Sequence, residues 1–110
     1  MDVRTIGEAK VLMVPAEGPP LGSERDATDL IGDALSMGAE AVAIPVERLH
    51  PEFLSLASRM AGLMIQKFTN YRLDVVFVGD ISQALAKSEA LRAFVVESNR
   101  GKGVRFVDQL

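Results

Sequence analysis

The chain has 110 residues, no Cys, and a net charge of −3 from 12 basic and 15 acidic side chains. That length suits one domain, and a chain of this size buries about 60–70% of its unfolded surface without staples. The missing Cys excludes a disulfide framework, a thiolate zinc site and a thiol nucleophile, and the acidic balance argues against general binding to nucleic acid or to an anionic membrane.

Hydrophobic residues at 48% and charged residues at 25% match a globular average. No apolar run approaches the ~20 residues of a membrane span, and the start, Met1 to Thr5, carries no basic segment leading into an apolar one. The expectation is a soluble, cytoplasmic protein. Charge is unevenly spread. Residues 1–58 hold 4 basic and 10 acidic side chains, a balance of −6, and residues 59–110 hold 8 and 5, a balance of +3.

Residues 2–6 and 9–14 read as two short strands. Gly7-Glu8 between them suits the two-residue hairpin turn that needs Gly first. Pro15 to Gly22 is a Gly/Pro-rich connection, with Pro19-Pro20 extended. Ser23 then opens a helix, with Asp26 three residues on in a capping-box-like spacing. Ala27, Leu30, Ile31, Ala34 and Leu35 form its apolar stripe. Gly38 suits the left-handed position that ends it. Asp26, Asp29 and Asp33 share that helix without a metal-ligand spacing and read as its solvated face.

Residues 41–46 (Ala-Val-Ala-Ile-Pro-Val) read as a buried strand, with Pro45 at its end or edge. Pro51 suits the first position of a long helix from Glu52 to Tyr71. Its main apolar face is Phe53, Ala57, Met60, Met64, Phe68 and Tyr71, widened by Leu54, Leu56, Leu63 and Ile65. Only Ser55, Arg59, Gly62, Gln66 and Asn70 make a polar stripe. A helix so apolar needs cover on most sides, which in a small chain predicts a homodimer.

Leu73 to Val78 is the next strand, closed by Gly79-Asp80. A third helix follows from Gln83 to Asn99, capped by Asp80 or Ser82, with Leu91, Phe94 and Val95 inward. Gly101 stops it, and Val104 to Val107 is the last strand. The order ββαβαβαβ predicts an α/β domain over residues 1–110. Its sheet has four to five strands, mixed but mostly parallel, with three helices and right-handed crossovers. The hairpin supplies the antiparallel edge.

Cofactor and metal tests fail. Gly101-Lys102-Gly103 leads into a strand, without the Ser/Thr and upstream Gly of a phosphate loop. There is one His, His50. No cofactor and no metal are expected. Chemistry, if any, belongs at the C-terminal ends of the strands, where ligands of open α/β sheets collect. There Glu47, His50, Asp80 and Ser82 could converge, and a His50–Asp80 pair would make a sensible acid–base couple. The opposite edge gathers Gln66, Lys67, Asn70, Tyr71 and Arg72 with Glu97, Asn99 and Arg100. Asn70 and Asn99 suit left-handed helix caps, with Arg72 and Arg100 on orphan carbonyls or on Glu97. The alternative is a surface that binds an anion or a partner, with Arg59 on the same helix stripe.

Ala43-Ile44-Pro45 with Glu47-Arg48-Leu49, then Pro51-Glu52-Phe53 and Ala61-Gly62, carry a resemblance. So do Gln66-Lys67-Phe68 with Asn70-Tyr71-Arg72, Val78-Gly79-Asp80, Leu91-Arg92 with Phe94, and Glu97-Ser98-Asn99-Arg100-Gly101. These pieces, about two thirds of the chain, resemble an uncharacterised bacterial family, domain of unknown function 4180. The N-terminal third fits it only in element order and in the Asp29-Leu30 helix. The resemblance implies a small stand-alone cytoplasmic domain and transfers no catalytic residue. The element order also resembles the STAS (anti-sigma-factor-antagonist) domains, which act by protein–protein contact through a phosphorylatable Ser at a helix start. Here that place holds Leu49-His50-Pro51, with Ser55 a turn later, which departs from the pattern. The expected function is a non-enzymatic binding or regulatory module, a homodimer with room for a protein partner. The alternative is a small-ligand binder or enzyme using Glu47, His50 and Asp80.

Overall fold

The computed structural model describes residues 1–110. A hairpin opens the chain. Strand β1 (Asp2–Ile6) pairs antiparallel with β2 (Ala9–Met13) across a turn in which Gly7 takes φ +63°. Helix α1 (Glu24–Ser36) leads to β3 (Ala41–Pro45), and α2 (Met60–Asn70) to β4 (Asp74–Val78). A short helix, α3 (Ser82–Lys87), and a longer one, α4 (Glu89–Arg100), lead to β5 (Val104–Val107). The five strands lie in chain order, and every pair after the hairpin is parallel. The fold is therefore a small α/β domain on a mixed, mostly parallel sheet, as expected.

Strand order decides where the helices go. Each parallel crossover steps the same way across the sheet, and crossovers of one hand then put every helix on one face. The core confirms this. Ala27, Leu30, Ile31 and Ala34 of α1 share one buried cluster with Ala61, Met64 and Phe68 of α2, and with Leu91 and Val95 of α4. Alternate strand residues meet them: Leu12, Val42, Ile44, Val75, Phe77 and Phe106. Phe77 is the hinge of that packing, 5.2 Å from the Phe53 ring and 4.9 Å from the Phe106 ring, centroid to centroid. The intervening residues, Val11, Ala41 and Ala43 with Ile6, Ala9, Met13 and Val78, form a separate cluster that no helix joins.

Ser23 and Asp26 form a full capping box on α1, and Gly38 ends that helix at φ +71°. Leu35 is the exception to its stripe: the side chain is exposed.

The long helix expected over 52–71 does not exist. Residues 51–54 turn, 56–58 make a single 3₁₀ turn, and α2 starts only at Met60. The Ser58 hydroxyl lies 2.7 Å from both the Glu52 and Ser55 carbonyls, and Arg59 takes φ 65°, which breaks the helical path. Freed from the helix, Phe53 drops fully into the core, while Ala57 and Tyr71 are exposed. Phe53, Ala61, Met64 and Phe68 of this segment are consumed within the chain, Leu63 stays exposed, and the long helix from which a dimer was expected is absent.

The third helix is two. Ser88 leaves helical geometry at φ −146° and its hydroxyl accepts from the Leu91 N–H at 3.0 Å, starting α4 afresh. Asn70 is not a left-handed cap. It is the last residue of α2, and Arg72 holds the left-handed position at φ 57°. The Arg72 N–H donates to the Thr69 carbonyl and the Leu73 N–H to the Phe68 carbonyl, both at 3.0 Å. That pair of bonds is a Schellman motif with Arg where Gly is usual.

Candidate functional site

Three joints fix the loops at the C-terminal edge of the sheet. Gly79 follows β4 at φ +140°, where a Cβ would lie 2.4 Å from a Val46 methyl carbon. Only Gly lets the two loops after β3 and β4 approach so closely. The Asp80 carboxylate accepts at 2.9 Å from the N–H of Ser82, the first residue of α3, but the cap position is held by Ile81 rather than by Asp80 or Ser82. Bonds from the Ser82 N–H and hydroxyl hold the Asp80 carboxyl below the usual carboxylate range, slight burial opposing them. Arg48 reaches the other way. Its Nε donates to the Pro19 carbonyl at 2.7 Å and its guanidinium NH1 to the Pro15 carbonyl at 3.0 Å, passing over Gly18. Leu21 adds a parallel bridge to Leu49. The Pro15–Gly22 connection is therefore latched to the β3 loop.

Between those loops lies an open groove of about 1160 Å³. Glu47, Asp80, Ser82 and Lys87 supply its polar wall, and Leu54, Leu56 and Ile81 its apolar one. Ser55 also lines it. Three of the four residues expected at this edge, Glu47, Asp80 and Ser82, are brought to one groove.

His50 is not among its lining residues. The His50 N–H bonds the Leu21 carbonyl at 2.8 Å, and the ring Nδ1 accepts from the Glu52 N–H at 3.0 Å. Its Cβ packs toward Gly22, 3.1 Å from where a Cβ there would stand. His50 thus closes its own loop, and the acid–base couple with Asp80 does not form. The edge also lacks a reversal of strand order, the feature that opens a ligand crevice in doubly wound sheets. Nowhere do three His, Asp or Glu side chains gather as metal ligands would.

At the opposite edge one residue, Asn99, joins two elements. Asn99 bonds both backbone groups of Phe106, accepting from its N–H at 2.7 Å and donating to its carbonyl at 3.1 Å. Its amide is spent on holding α4 to β5. Arg100 pairs with Glu97 at 3.3 Å and Lys67 with Glu24 at 3.6 Å, both at the surface. Arg59, Gln66, Asn70, Tyr71 and Arg72 are exposed.

Arg48, Gly79 and Asn99 thus act as joints, and each sits inside one of the sequence pieces that carry the family resemblance. A family model described as a domain of unknown function (DUF4180) matches residues 6–110. The chain belongs to this family. No curated protein and no solved structure matches it.

In this DUF4180 domain the surface that sequence reasoning missed is the uncovered side of the sheet. Met13, Val76 and Val78 stand half-exposed there, around Val11, Ala41 and Ala43. Its upper end deepens into a groove of about 400 Å³ between Ala16 and the terminal residues Asp108, Gln109 and Leu110. The available signal was the near-continuous apolar run of β3 and β4, which implies cover on both sides. No helix of the chain is long and apolar enough to cross a membrane.

Proposed function

We propose that this domain is a non-enzymatic binding and regulatory module of the cytoplasm, acting by protein–protein contact and as a homodimer through the open face of its sheet. The observation that carries this reading is the apolar centre of that face, where Met13, Val76 and Val78 stand half-exposed beside the buried Val11, Ala41 and Ala43, with no helix over them. A sheet wet on one side normally alternates apolar and polar residues. Here the helix-free positions of β2 and β3 are apolar, as interface cores are. The STAS-like element order supports the same reading, since those domains work by protein contact.

The test is sedimentation velocity on the wild-type chain and on Val76→Asp, with circular dichroism to verify folding. The expected result is a concentration-dependent dimer for the wild type and a folded monomer for the variant. Self-association unaffected by Val76→Asp would remove the open face from the proposal.

A second reading, a small-ligand binder at the groove of Glu47 and Asp80, draws on the volume of that groove. It has the weaker support. Asp80 is already engaged with the Ser82 N–H, and His50 is held by the Glu52 N–H. Saturable binding in a ligand screen, lost in Asp80→Ala, would favour it.

A further inference from the structure

We infer that the open face pairs with the same face of a second copy, and that four charges at its corners set the register of the pair. This deepens the proposed function and rests on it. The strand register places Asp2, Met13, Ala43, Val76 and Arg105 in one row across all five strands. Arg4, Val11, Ala41 and Asp74 form the next row on the same face. Side-chain alternation fixes which face this is, because Val3, Val75, Val104 and Phe106 pack on the helix side. The first row is negative at its β1 end and positive at its β5 end. The second is positive at its β1 end and negative on β4.

Signs therefore alternate around the rectangle. All four side chains are exposed, and the ion pairs within the chain use none of them. Face-to-face pairing of identical sheets needs a two-fold axis lying between them. With the axis along β3, Asp2 falls over Arg105 of the partner subunit, and Arg4 falls beside Asp74 of the partner subunit. Met13 then covers the partner's Val76, with the buried Ala43 lying on the axis. With the axis across the strands, Asp2 falls over the partner's Arg4, and Arg105 beside the partner's Asp74. Either in-plane axis carries every corner onto or beside an opposite charge. That self-complementarity points to a second copy of this chain rather than to an unrelated partner.

The face is small. Five strands at about 4.8 Å spacing and about 15 Å of strand length give a footprint of roughly 360 Å². A standard interface covers about 800 Å² per partner, so the pair is of the weak, exchanging kind, with a dissociation constant of micromolar order. Like charges facing each other in such a contact oppose it, and salt weakens the favourable pairs.

The experiment is sedimentation equilibrium at about 50 mM salt, below physiological screening. It compares the wild type with Asp2→Arg, Asp2→Arg/Arg105→Asp, Asp2→Arg/Arg4→Asp and Val76→Asp, all verified as folded by thermal melts. The expected result is at least about fivefold weaker association for Asp2→Arg. One double variant then returns to within about twofold of the wild type. Rescue by Arg105→Asp places the axis along β3, and rescue by Arg4→Asp places it across the strands. Asp2→Arg without effect, or failure of both double variants to rescue, overturns the charge register. In that case loss of the dimer in Val76→Asp still leaves the open face as the interface. A dimer that survives Val76→Asp overturns the proposed face as well. A wild type that stays monomeric up to about 1 mM, the limit of weak recognition, overturns self-pairing itself.

Discussion

The two faces of the sheet are built from the same strands and differ in almost everything else. The helix side carries Leu12, Val42, Ile44, Val75, Phe77 and Phe106, large side chains locked against three helices. The open side carries Ala41, Ala43, Val11 and Met13 with Val76 and Val78, and four charges stand at its corners. One side is a finished core. The other has the composition of a contact surface, apolar in the middle and charged at the rim. On β3 both sides are buried, Val42 and Ile44 in the cluster that the helices join and Ala41 and Ala43 against side chains of neighbouring strands, so an apolar strand can close its second face without a helix.

The sharpest way to break that comparison is to truncate neighbours in β4. Phe77 is fully buried between the Phe53 and Phe106 rings. Phe77→Ala removes both ring contacts and leaves a cavity, which costs about 3–5 kcal/mol in urea unfolding. Val76, one residue earlier, faces the open side and is half-exposed. Val76→Ala costs less than about 1 kcal/mol, within the usual range for a surface site. Equal losses at the two positions, measured below the dimerising concentration, would show that the open face is covered within the chain.

The next effect lies where α4 is tied to the sheet. Asn99 satisfies both backbone groups of Phe106 on the edge strand β5. Asn99→Ala leaves an N–H and a carbonyl without these partners, a loss of about 2 kcal/mol. Hydrogen exchange should localise it, with the Phe106 amide losing protection before the amides of β3. Uniform loss of protection would mean that β5 unfolds only with the whole sheet.

Much of the covered face was legible in the sequence, and none of the open face was. The turn at Gly7, the Ser23–Asp26 box and the left-handed Gly38 are local chemistry, so a few adjacent residues reveal them. Residues 52–59 were misread because Phe53, Leu54, Leu56 and Ala57 fit a helical period. The Ser58 side-chain bonds that redirect the chain leave no periodic trace. The open face depends on strand order, and periodicity carries no information about which strands become neighbours. Without that order, the apolar run of β3 implied cover but not its source. The same gap misplaces His50. Glu47 and Asp80 were placed correctly at one edge, but His50 was joined to them by a rule for sheets that reverse order.

A smaller test separates charge from capping at the entry to α1. Gly22 and Ser23 N–H groups bond the Asp26 carboxylate at 2.9 and 3.0 Å. Partial burial pushes its pKa up. The Gly22, Ser23 and hydroxyl bonds and the Arg48 charge outweigh that and hold it below the usual range. A depressed carboxyl adds stability above its unfolded pKa of about 3.9, and that stability is lost as pH falls through the lower folded value. Asp26→Asn should therefore cost about 1 kcal/mol at pH 7, as loss of a cap does. The gap between variant and wild type should close below about pH 4. A constant gap down to pH 2 would assign the effect to shape rather than charge.

The smallest expected effect has the opposite sign. Arg72 ends α2 in the left-handed region at φ 57°, where a Cβ crowds the backbone. Its position lets Leu73 turn into the core and close the Schellman bonds. Gly adopts that conformation without the side-chain penalty, so Arg72→Gly should stabilise the fold by about 0.5–1 kcal/mol in urea unfolding. Loss of the Arg side chain removes no ion pair within the chain. This variant sharpens the comparison of the two faces because it touches the helix layer without touching its packing. A gain here, beside the large loss in Phe77→Ala, shows that the sensitivity of the covered side comes from filled volume. A loss would mean that Arg72 contributes a contact worth more than the strain of its backbone, and the exposed end of α2 would become a binding surface to test.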